Sequence, residues 1–302
     1  MTKENLGLRV HILPLGFEFE RAVAALMSVH VVDKAILVVG TRNQESEFSR
    51  RQETYTRRVT EALEERGITV SVVETVAFHM PMYIRDLTRI VKEELKAGND
   101  VFINTSSSGR FDSMSAVLVG MAHGVTCYYV YADGYAKTEE EQLTYGLSRC
   151  SLTNPRLEIV PKCTIVLPKP EEALLLECLF VARENGKEWV EPWETAAVLH
   201  SAFPVKYAWN PPGGQYKRRQ YRHVYASDEE KAADETDNLL RISFLSKFRT
   251  TFGRVLVDRG QIERDHEITR YRITEAGEST LYLNGMTGLV TYQDGKLAFT
   301  GR

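Results

Sequence analysis

The feature that most constrains the fold is an alternation of short apolar runs with amphipathic helical segments through the first half of the chain. The runs cover residues 8–13, 35–39, 69–74, 101–104 and 126–131. Helical spacing of apolar residues recurs between them, and glycines close several segments. An order of strand, helix, strand, helix with short connections predicts an α/β fold with a parallel, doubly wound, Rossmann-like sheet. Ligands of such sheets bind at the carboxyl ends of the strands.

Three loops therefore lie where a ligand is expected: residues 14–17, 40–43 and 105–111. The last loop combines four hydroxyl residues, Gly109 and Arg110 between a buried-type strand and a predicted helix. Free backbone N–H groups at a helix N-terminus favour a phosphate, which an arginine can bind bidentately. The alternative is that the serines only cap the helix and that Arg110 is solvated.

Common nucleotide, metal and membrane signatures are missing. The sequence has neither a Gly-x-Gly-x-x-Gly nor a P-loop pattern, and its histidines include no metal-ligand pair at helical spacing. We therefore expect no cofactor and no metal. No apolar run approaches the roughly 20 residues that span a bilayer, so a cytoplasmic protein with no membrane partner is expected. Four cysteines, far from any Cys-x-x-Cys spacing, are expected to be buried thiols; these are Cys127, Cys150, Cys163 and Cys178.

The second half of the chain differs in charge. Residues 203–272 contain 14 Lys and Arg against 10 Asp and Glu, whereas the whole chain of 302 residues has a net charge of -3. A basic segment on an acidic protein suits nucleic-acid binding. Pro168-Lys169-Pro170 predicts a boundary between domains at residues 1–168 and 169–302. The stretch 217–222 contains four basic residues and is either a solvated loop or a phosphate-contacting arm.

The first domain resembles a known family. The segment 101–115, Val-Phe-Ile-Asn-Thr-Ser-Ser-Ser-Gly-Arg-Phe-Asp-Ser-Met-Ser, and the opening 9–17, Arg-Val-His-Ile-Leu-Pro-Leu-Gly-Phe, resemble the CRISPR-associated Rossmann-fold (CARF) domain. They look closest to archaeal regulators that join this domain to a winged helix. The resemblance covers residues 6–135, and many members have a Gly-Gly-Thr-Lys-like loop where this chain has Ser107-Ser108-Gly109-Arg110.

The resemblance implies a ligand, a cyclic oligoadenylate, held where two loops meet on the two-fold axis of a homodimer. Carried onto this sequence, the implied ligand contacts come from the loops after the first and fourth strands, with Phe111 and Met114 at the rim. Thr41 joins them from its place in the loop after the second strand. The predicted ligand residues are Leu15, Gly16, Thr41, Ser106, Ser107, Ser108, Gly109, Arg110, Phe111 and Met114.

The second domain resembles a winged helix-turn-helix domain. Apolar residues from 245 to 256 form one helical stripe, a hairpin pattern follows at 261–273, and Tyr271-Arg-Ile-Thr-Glu-Ala-Gly277 closes it. In such domains this helix enters the major groove of double-stranded DNA. The predicted DNA contacts are Lys247, Thr250, Thr251 and Arg254 on the helix and Arg264, Arg270 and Arg272 on the wing. Asp265 and Glu267 at the wing tip would repel phosphates, and Asp294-Gly295 predicts a terminal hairpin.

These observations favour a transcriptional regulator that responds to cyclic oligoadenylate in CRISPR defence. No nuclease motif fits, because Glu94-Leu95-Lys96 lies in a predicted helix and Glu229-Glu230-Lys231 in a charged, helix-like stretch. The alternative is a ring nuclease, an enzyme that cleaves its own bound cyclic oligoadenylate and needs only positioned hydroxyls and Arg110. The remaining alternative for the second domain is a winged helix used only for dimerisation.

Overall fold

The computed structural model describes residues 7–28, 32–41, 46–76, 79–209, 228–265 and 269–300. The chain divides into two compact units, Met1–Val166 and Leu167–Arg302. No helix in the described part of the chain is both long and apolar enough to cross a membrane. The basic stretch 217–222 and the wing-tip residues His266 and Glu267 lie outside the described residues.

The first unit is built on a six-stranded sheet. Its strands are β1 (Arg9–Leu15), β2 (Lys34–Thr41), β3 (Thr69–Val76), β4 (Asp100–Asn104), β5 (Thr126–Val130) and β8 (Leu157–Ile159). Their order across the sheet is β3-β2-β1-β4-β5-β8. Its helices are α1 (Glu20–Ser28), α2 (Glu47–Glu64), α3 (Met80–Lys96) and α4 (Arg110–His123). The first five strands are parallel, which confirms the predicted α/β fold with its Rossmann-like sheet.

The sequence places the apolar strands at the centre of this sheet. In β1, six consecutive residues are buried, and the middle of β2 is equally buried, because helices cover parallel sheets on both faces. The expected first strand stopped at residue 13, whereas β1 continues through Pro14 to Leu15. Pro14 fits there although it donates no hydrogen bond, and Leu15 consequently belongs to the strand rather than to a loop.

One expectation for the end of this unit was wrong. Cys163 is exposed, whereas the other three cysteines are buried as expected. It follows the short strand Leu157–Ile159, which pairs antiparallel to β5. Residues 134–149 add the small pair β6 (Gly134–Tyr135) and β7 (Ser148–Arg149), with α5 (Glu139–Tyr145) between them.

The second unit combines helices with two hairpins. Its helices are α6 (Pro170–Glu184), a 3-10 turn (Pro192–Thr195), α7 (Ala196–Ala202), α8 (Asp228–Phe248), a π-helical turn (Arg249–Arg254), α9 (Val255–Asp258) and α10 (Glu275–Asn284). Its strands are β9 (Ile262–Asp265), β10 (Arg270–Ile273), β11 (Val290–Gln293) and β12 (Lys296–Phe299). Asp294 and Gly295 both have positive φ, as the turn between β11 and β12 requires.

An aromatic cluster forms the core of the second unit. Phe248 and Phe252 of the expected stripe are buried, and Phe248 contacts the ring of Tyr271 in β10. Helix α8 covers Asp228–Phe248, so the expected stripe begins near its end, and a π-helical turn follows at Arg249–Arg254. This turn brings Gly253 so close to Tyr271 that a Cβ atom on Gly253 would lie 2.8 Å from the tyrosine hydroxyl.

Candidate functional site

The loops after β1 and β4 meet at the carboxyl end of the sheet. The Gly16 N–H donates to the Ser107 carbonyl at 2.8 Å, and the Ser107 hydroxyl donates to the Pro14 carbonyl at 2.7 Å. The two backbones approach so closely that a Cβ on Gly16 would lie 3.3 Å from the Ser108 Cα. A side chain at position 16 would therefore push Ser108 away by a few tenths of an ångström, and the two loops together form one edge, the loop edge.

Asn104, at the end of β4, stabilises this edge through the hydrogen bonds of its side chain. Its Oδ1 accepts hydrogen bonds from the Ser106 N–H at 2.9 Å and from the Ser106 hydroxyl at 2.6 Å. Its Nδ2 donates to the Arg21 carbonyl at 3.0 Å. Because Asn104 and Ser106 are both buried, each of these bonds satisfies a polar group that water does not reach.

The predicted ligand residues fall into two groups. Leu15, Ser106 and Ser107 are buried; their polar groups are engaged within the fold, and the Leu15 carbonyl accepts from the Gln52 amide at 2.8 Å. Ser108 is half-buried, and Gly109 and Arg110 are exposed. The edge thus presents Ser108, Gly109 and Arg110 to solvent, while the serines before them fix its shape.

Thr41 lies at the end of β2. Its side chain is exposed, but its hydroxyl donates to the Thr75 carbonyl at 3.1 Å. It lines an open cavity of about 530 Å³ between β2, β3 and α2, together with Gln52 and Arg57. Gln52 connects this cavity with the loop edge, because its amide also binds the Leu15 carbonyl.

Asp112, in the first turn of α4, lies beside Gly109 of the loop edge and is not among the residues predicted from the sequence. Burial raises the pKa of its carboxyl to about 6, and the neighbouring Gly109 N–H offsets only part of that rise. An acidic residue in the first turn of a helix is common, and only its burial makes this one unusual. The sequence carries no signal of that burial.

An apolar face adjoins the loop edge. Phe111 and Met114, predicted at the rim of the ligand, are 61% and 55% exposed on α4. Met114 also lines a groove of about 700 Å³ with Val117 and Leu118 of the same helix and with Tyr129 of β5. Exposed aromatic and aliphatic side chains grouped on one helix are typical of a surface that another molecule covers.

Of the four DNA residues predicted on the helical segment of the second unit, three are exposed. Lys247, Thr250 and Arg254 face solvent, and Thr251 is half-buried. The Lys247 ammonium donates to the Lys206 carbonyl at 2.8 Å, a bond that leaves its charge uncompensated. The Arg254 guanidinium lies 3.9 Å from the Asp258 carboxylate, and both side chains are strongly exposed, so water screens this pair.

The arginines predicted to contact DNA from the hairpin β9–β10 differ in their partners. Arg270 pairs directly across the strands with Asp265, and Arg272 pairs with Glu263 and Glu188. Both guanidinium groups also lie over the ring of Trp189. Arg264 is exposed, and within the described residues no carboxylate forms an ion pair with it.

The described ranges contain no group of three or more His, Cys, Asp or Glu side chains that could hold a metal ion.

The family model described as HFX_2341_N:-like, N-terminal, matches residues 9–135. No curated protein matches the chain. Among solved structures, protein VC1899 from Vibrio cholerae is 13% identical with a TM-score of 0.37, covering 91% of this chain and 64% of its own. Csm6 from Enterococcus italicus, bound to cyclic hexa-2'-fluoro-hexa-dAMP, is 18% identical with a TM-score of 0.33, covering 46% and 37%.

A third structure, Can2 from Sulfobacillus thermosulfidooxidans in complex with cyclic tetra-adenylate, is 10% identical with a TM-score of 0.34 and covers 91% of this chain and 61% of its own. The present chain thus spans less than two thirds of the length of each of these three proteins.

Proposed function

We propose that this protein is a homodimeric regulator in CRISPR defence, in which the first unit binds a cyclic oligoadenylate and the second binds double-stranded DNA. The observation that carries the proposal is the edge formed by the loops after β1 and β4. There Ser108, Gly109 and Arg110 are exposed at the N-terminus of α4, while Gly16 is held against the backbone of Ser108. Cyclic oligoadenylates present a ring of phosphodiesters, which suits a guanidinium and free backbone N–H groups.

The apolar face of α4 supports the homodimer. Phe111 and Met114 belong to the helix whose first residue is Arg110, so a second copy of the chain packed on this face would bring its own loop edge to the same two-fold axis. Three exposed residues on one chain are too few to surround a cyclic oligonucleotide. Two copies of the edge would hold it from both sides.

The order of elements in the second unit supports DNA binding. Helix α6, a strand-like bridge at Val190, helix α7, the long helix α8 and the hairpin β9–β10 follow one another as in a winged helix, and Val190 pairs with Tyr271 of the hairpin. The exposed basic residues after the middle of α8 would then contact the groove and its phosphates. Arg264 is the wing residue best suited to contact the DNA backbone, since carboxylates already neutralise Arg270 and Arg272.

The ligand half of the proposal is tested by removing the arginine at the edge. We expect Arg110→Ala to weaken binding of cyclic tetra-adenylate or cyclic hexa-adenylate by about 2–3 kcal/mol, the loss typical of a charge-assisted hydrogen bond to phosphate. Calorimetry of the full chain measures it. The matched control is Arg66→Ala, an exposed arginine just after α2, which should leave the affinity unchanged. Equal affinity of the wild type and Arg110→Ala would contradict this site.

One observation favours the ring nuclease as a second candidate. The Ser108 hydroxyl is half-buried beside Arg110, and its contacts are long, 3.5 Å to the Gly109 carbonyl and 3.4 Å to the Ser113 hydroxyl. It therefore remains available to position a phosphodiester or a ribose hydroxyl for cleavage. Incubation with a cyclic oligoadenylate followed by chromatography distinguishes the candidates, because only the enzyme converts the ring into linear products.

A further inference from the structure

The buried face of the long helical segment in the second unit repeats every four residues. The side chains on this face are no more than 2% exposed; they are Phe244, Phe248, Phe252 and Leu256. In an α-helix of about 3.6 residues per turn, residues four apart drift by about 40°, so Leu256 would be turned about 120° away from Phe244. The π-helical turn at Arg249–Arg254 rotates the chain less per residue and keeps all four side chains on one face.

The same turn places an arginine beside this buried face. Residues one position after each buried side chain form a neighbouring row, which contains Leu245, Arg249, Gly253 and Val257. Arg249 is exposed, and it is not among the DNA contacts predicted from the sequence. Gly253 follows it one turn later in the same row. What packs against Gly253 therefore lies close to Arg249.

The hairpin β9–β10 packs against Gly253. A Cβ atom on Gly253 would lie 2.8 Å from the Tyr271 hydroxyl, so a side chain at this position would displace the tyrosine. In the hairpin, Tyr271 lies directly opposite Arg264. Arg264 is exposed and lines an open cavity of about 500 Å³ together with Gly253. Arg249 on the helical side and Arg264 on the hairpin side thus flank the contact between Gly253 and Tyr271.

This cleft between the π-helical turn and the hairpin is positively charged. Within the described residues, no carboxylate forms an ion pair with Arg249 or Arg264, and Glu263, which also lines the cavity, is paired with Arg272 at 2.6 Å. Burial raises the pKa of Tyr271, and the nearby charges of Arg264 and Arg249 offset part of that rise. Two guanidinium groups that are close together repel each other until an anion binds between them, and a phosphate suits both.

We propose that this cleft holds a phosphate group of one DNA strand between Arg249 and Arg264. The inference rests on the proposed function, since DNA is the partner proposed for the second unit. Lys247 lies on the other flank of the buried face, so a helix placed in the major groove would contact the second strand through Lys247. Gly253 and Tyr271 are positioning residues, because their contact sets the separation of the two arginines.

Fluorescence anisotropy of the full chain tests the two arginines. The probes are a labelled promoter duplex and a labelled duplex of unrelated sequence and equal length, each titrated at several salt concentrations with and without cyclic tetra-adenylate. Arg249→Ala and Arg264→Ala should each weaken binding to both duplexes by about tenfold. Each should also reduce the magnitude of the slope of log affinity against log salt concentration by about 0.9.

Matched variants separate the charge from the fold. Arg249→Lys and Arg264→Lys keep the positive charge and should retain the slope of the wild type. Lys296→Ala removes an exposed charge from the terminal hairpin and should leave both affinity and slope unchanged.

The contact between Gly253 and Tyr271 has its own test. Gly253→Ala should weaken binding to both duplexes several-fold and reduce the slope, because its Cβ pushes the hairpin away from the helix. Tyr271→Phe removes a hydroxyl that has no hydrogen-bond partner in the described part of the chain, so affinity should not change. Combining the two substitutions should restore binding, since the nearest remaining atom of the ring, Cζ, lies 3.4 Å from the new Cβ, an ordinary contact distance.

The possible outcomes separate this inference from the proposed function. If Arg249→Ala and Arg264→Ala bind as the wild type does while Lys247→Ala with Arg254→Ala binds more weakly, the second unit binds DNA but not through this cleft, and the inference is overturned. A loss confined to the promoter duplex with an unchanged slope would make the arginines base contacts and would overturn it as well. If the wild type binds neither duplex at any salt concentration, the DNA half of the proposed function fails and the inference fails with it.

Discussion

The hydrogen bonds of Asn104 give a quantitative test of how the loop edge is held. Asn104→Ala removes the acceptor of the Ser106 N–H and hydroxyl and the donor to the Arg21 carbonyl. Each buried polar group left without a partner costs about 1–3 kcal/mol, although the Ser106 hydroxyl can rotate toward another acceptor. We therefore expect the free energy of unfolding of the first unit to decrease by about 3 kcal/mol.

The unfolding of the first unit can be followed separately from that of the second. All three tryptophans, Trp189, Trp193 and Trp209, belong to the second unit, so their fluorescence reports its unfolding, whereas far-UV circular dichroism reports both. With a denaturant slope of about 2 kcal/mol per molar urea, the midpoint of the first unit should decrease by about 1.5 M. The fluorescence midpoint should not move.

Ser113→Ala is the control, because this hydroxyl, also at the edge, has only a 3.4 Å contact with the Ser108 hydroxyl. Its expected effect is below about 0.5 kcal/mol. A shift for Asn104→Ala no larger than for Ser113→Ala would refute the conclusion that Asn104 holds the loop.

Three further predictions concern the two units. Gly16→Ala should weaken binding of a cyclic oligoadenylate by about tenfold, measured by calorimetry, because its Cβ displaces Ser108 by a few tenths of an ångström, while thermal melting should change little. Because the pKa of Asp112 is raised, its carboxyl group contributes stability at low pH that is lost as the pH rises through about 6. Asp112→Asn should therefore be more stable than the wild type at pH 8, by about 1 kcal/mol after solvent screening, and equally stable at pH 3. Urea unfolding at both pH values measures this difference, and a difference that does not change with pH would contradict the prediction. Lys247→Ala combined with Arg254→Ala should reduce DNA affinity. If both residues contact phosphates, the slope of log affinity against log salt concentration should decrease in magnitude by about 2, whereas contacts to bases would leave the slope nearly unchanged. Fluorescence anisotropy on promoter DNA at several salt concentrations distinguishes these results, and unchanged affinity would exclude this helix as a DNA contact.

The sheet of the first unit could be predicted because its sequence signal is local. The strand at 35–39 is a continuous run of apolar residues, and the observed strand Lys34–Thr41 differs only at its ends. The loop after β4 stood out for a similar reason, since hydroxyl residues, a glycine and an arginine follow a buried strand directly. Local composition thus indicated where the chain turns and which edge of the sheet is polar.

The roles within that loop could not be predicted, because they depend on residues distant in sequence. Ser107 resembles a ligand contact by residue type, yet its hydroxyl binds the Pro14 carbonyl, 93 residues away. Gln52, which binds the Leu15 carbonyl, lies in a helix whose sequence shows only an amphipathic pattern. Residue type identifies a polar loop, but the three-dimensional contacts decide which hydroxyls remain free.

Strand register determines the partners of Arg270 and Arg272, which could not be predicted from the sequence. Arg270 and Arg272 are basic residues in a basic segment, which favours a role in DNA binding. In the hairpin, however, Arg270 lies opposite Asp265 and Arg272 opposite Glu263, so each guanidinium has a carboxylate within reach. A register shifted by one residue would have separated these pairs, and the sequence alone does not determine it.

Native mass spectrometry of the full chain with cyclic tetra-adenylate, and in parallel with cyclic hexa-adenylate, tests the central claim most directly. We predict an ion with the mass of two chains of 34.3 kDa plus one ring, and much less of this ion for Arg110→Ala under the same conditions. A chain that remains monomeric, or a dimer that takes up neither ring in excess, would contradict the account.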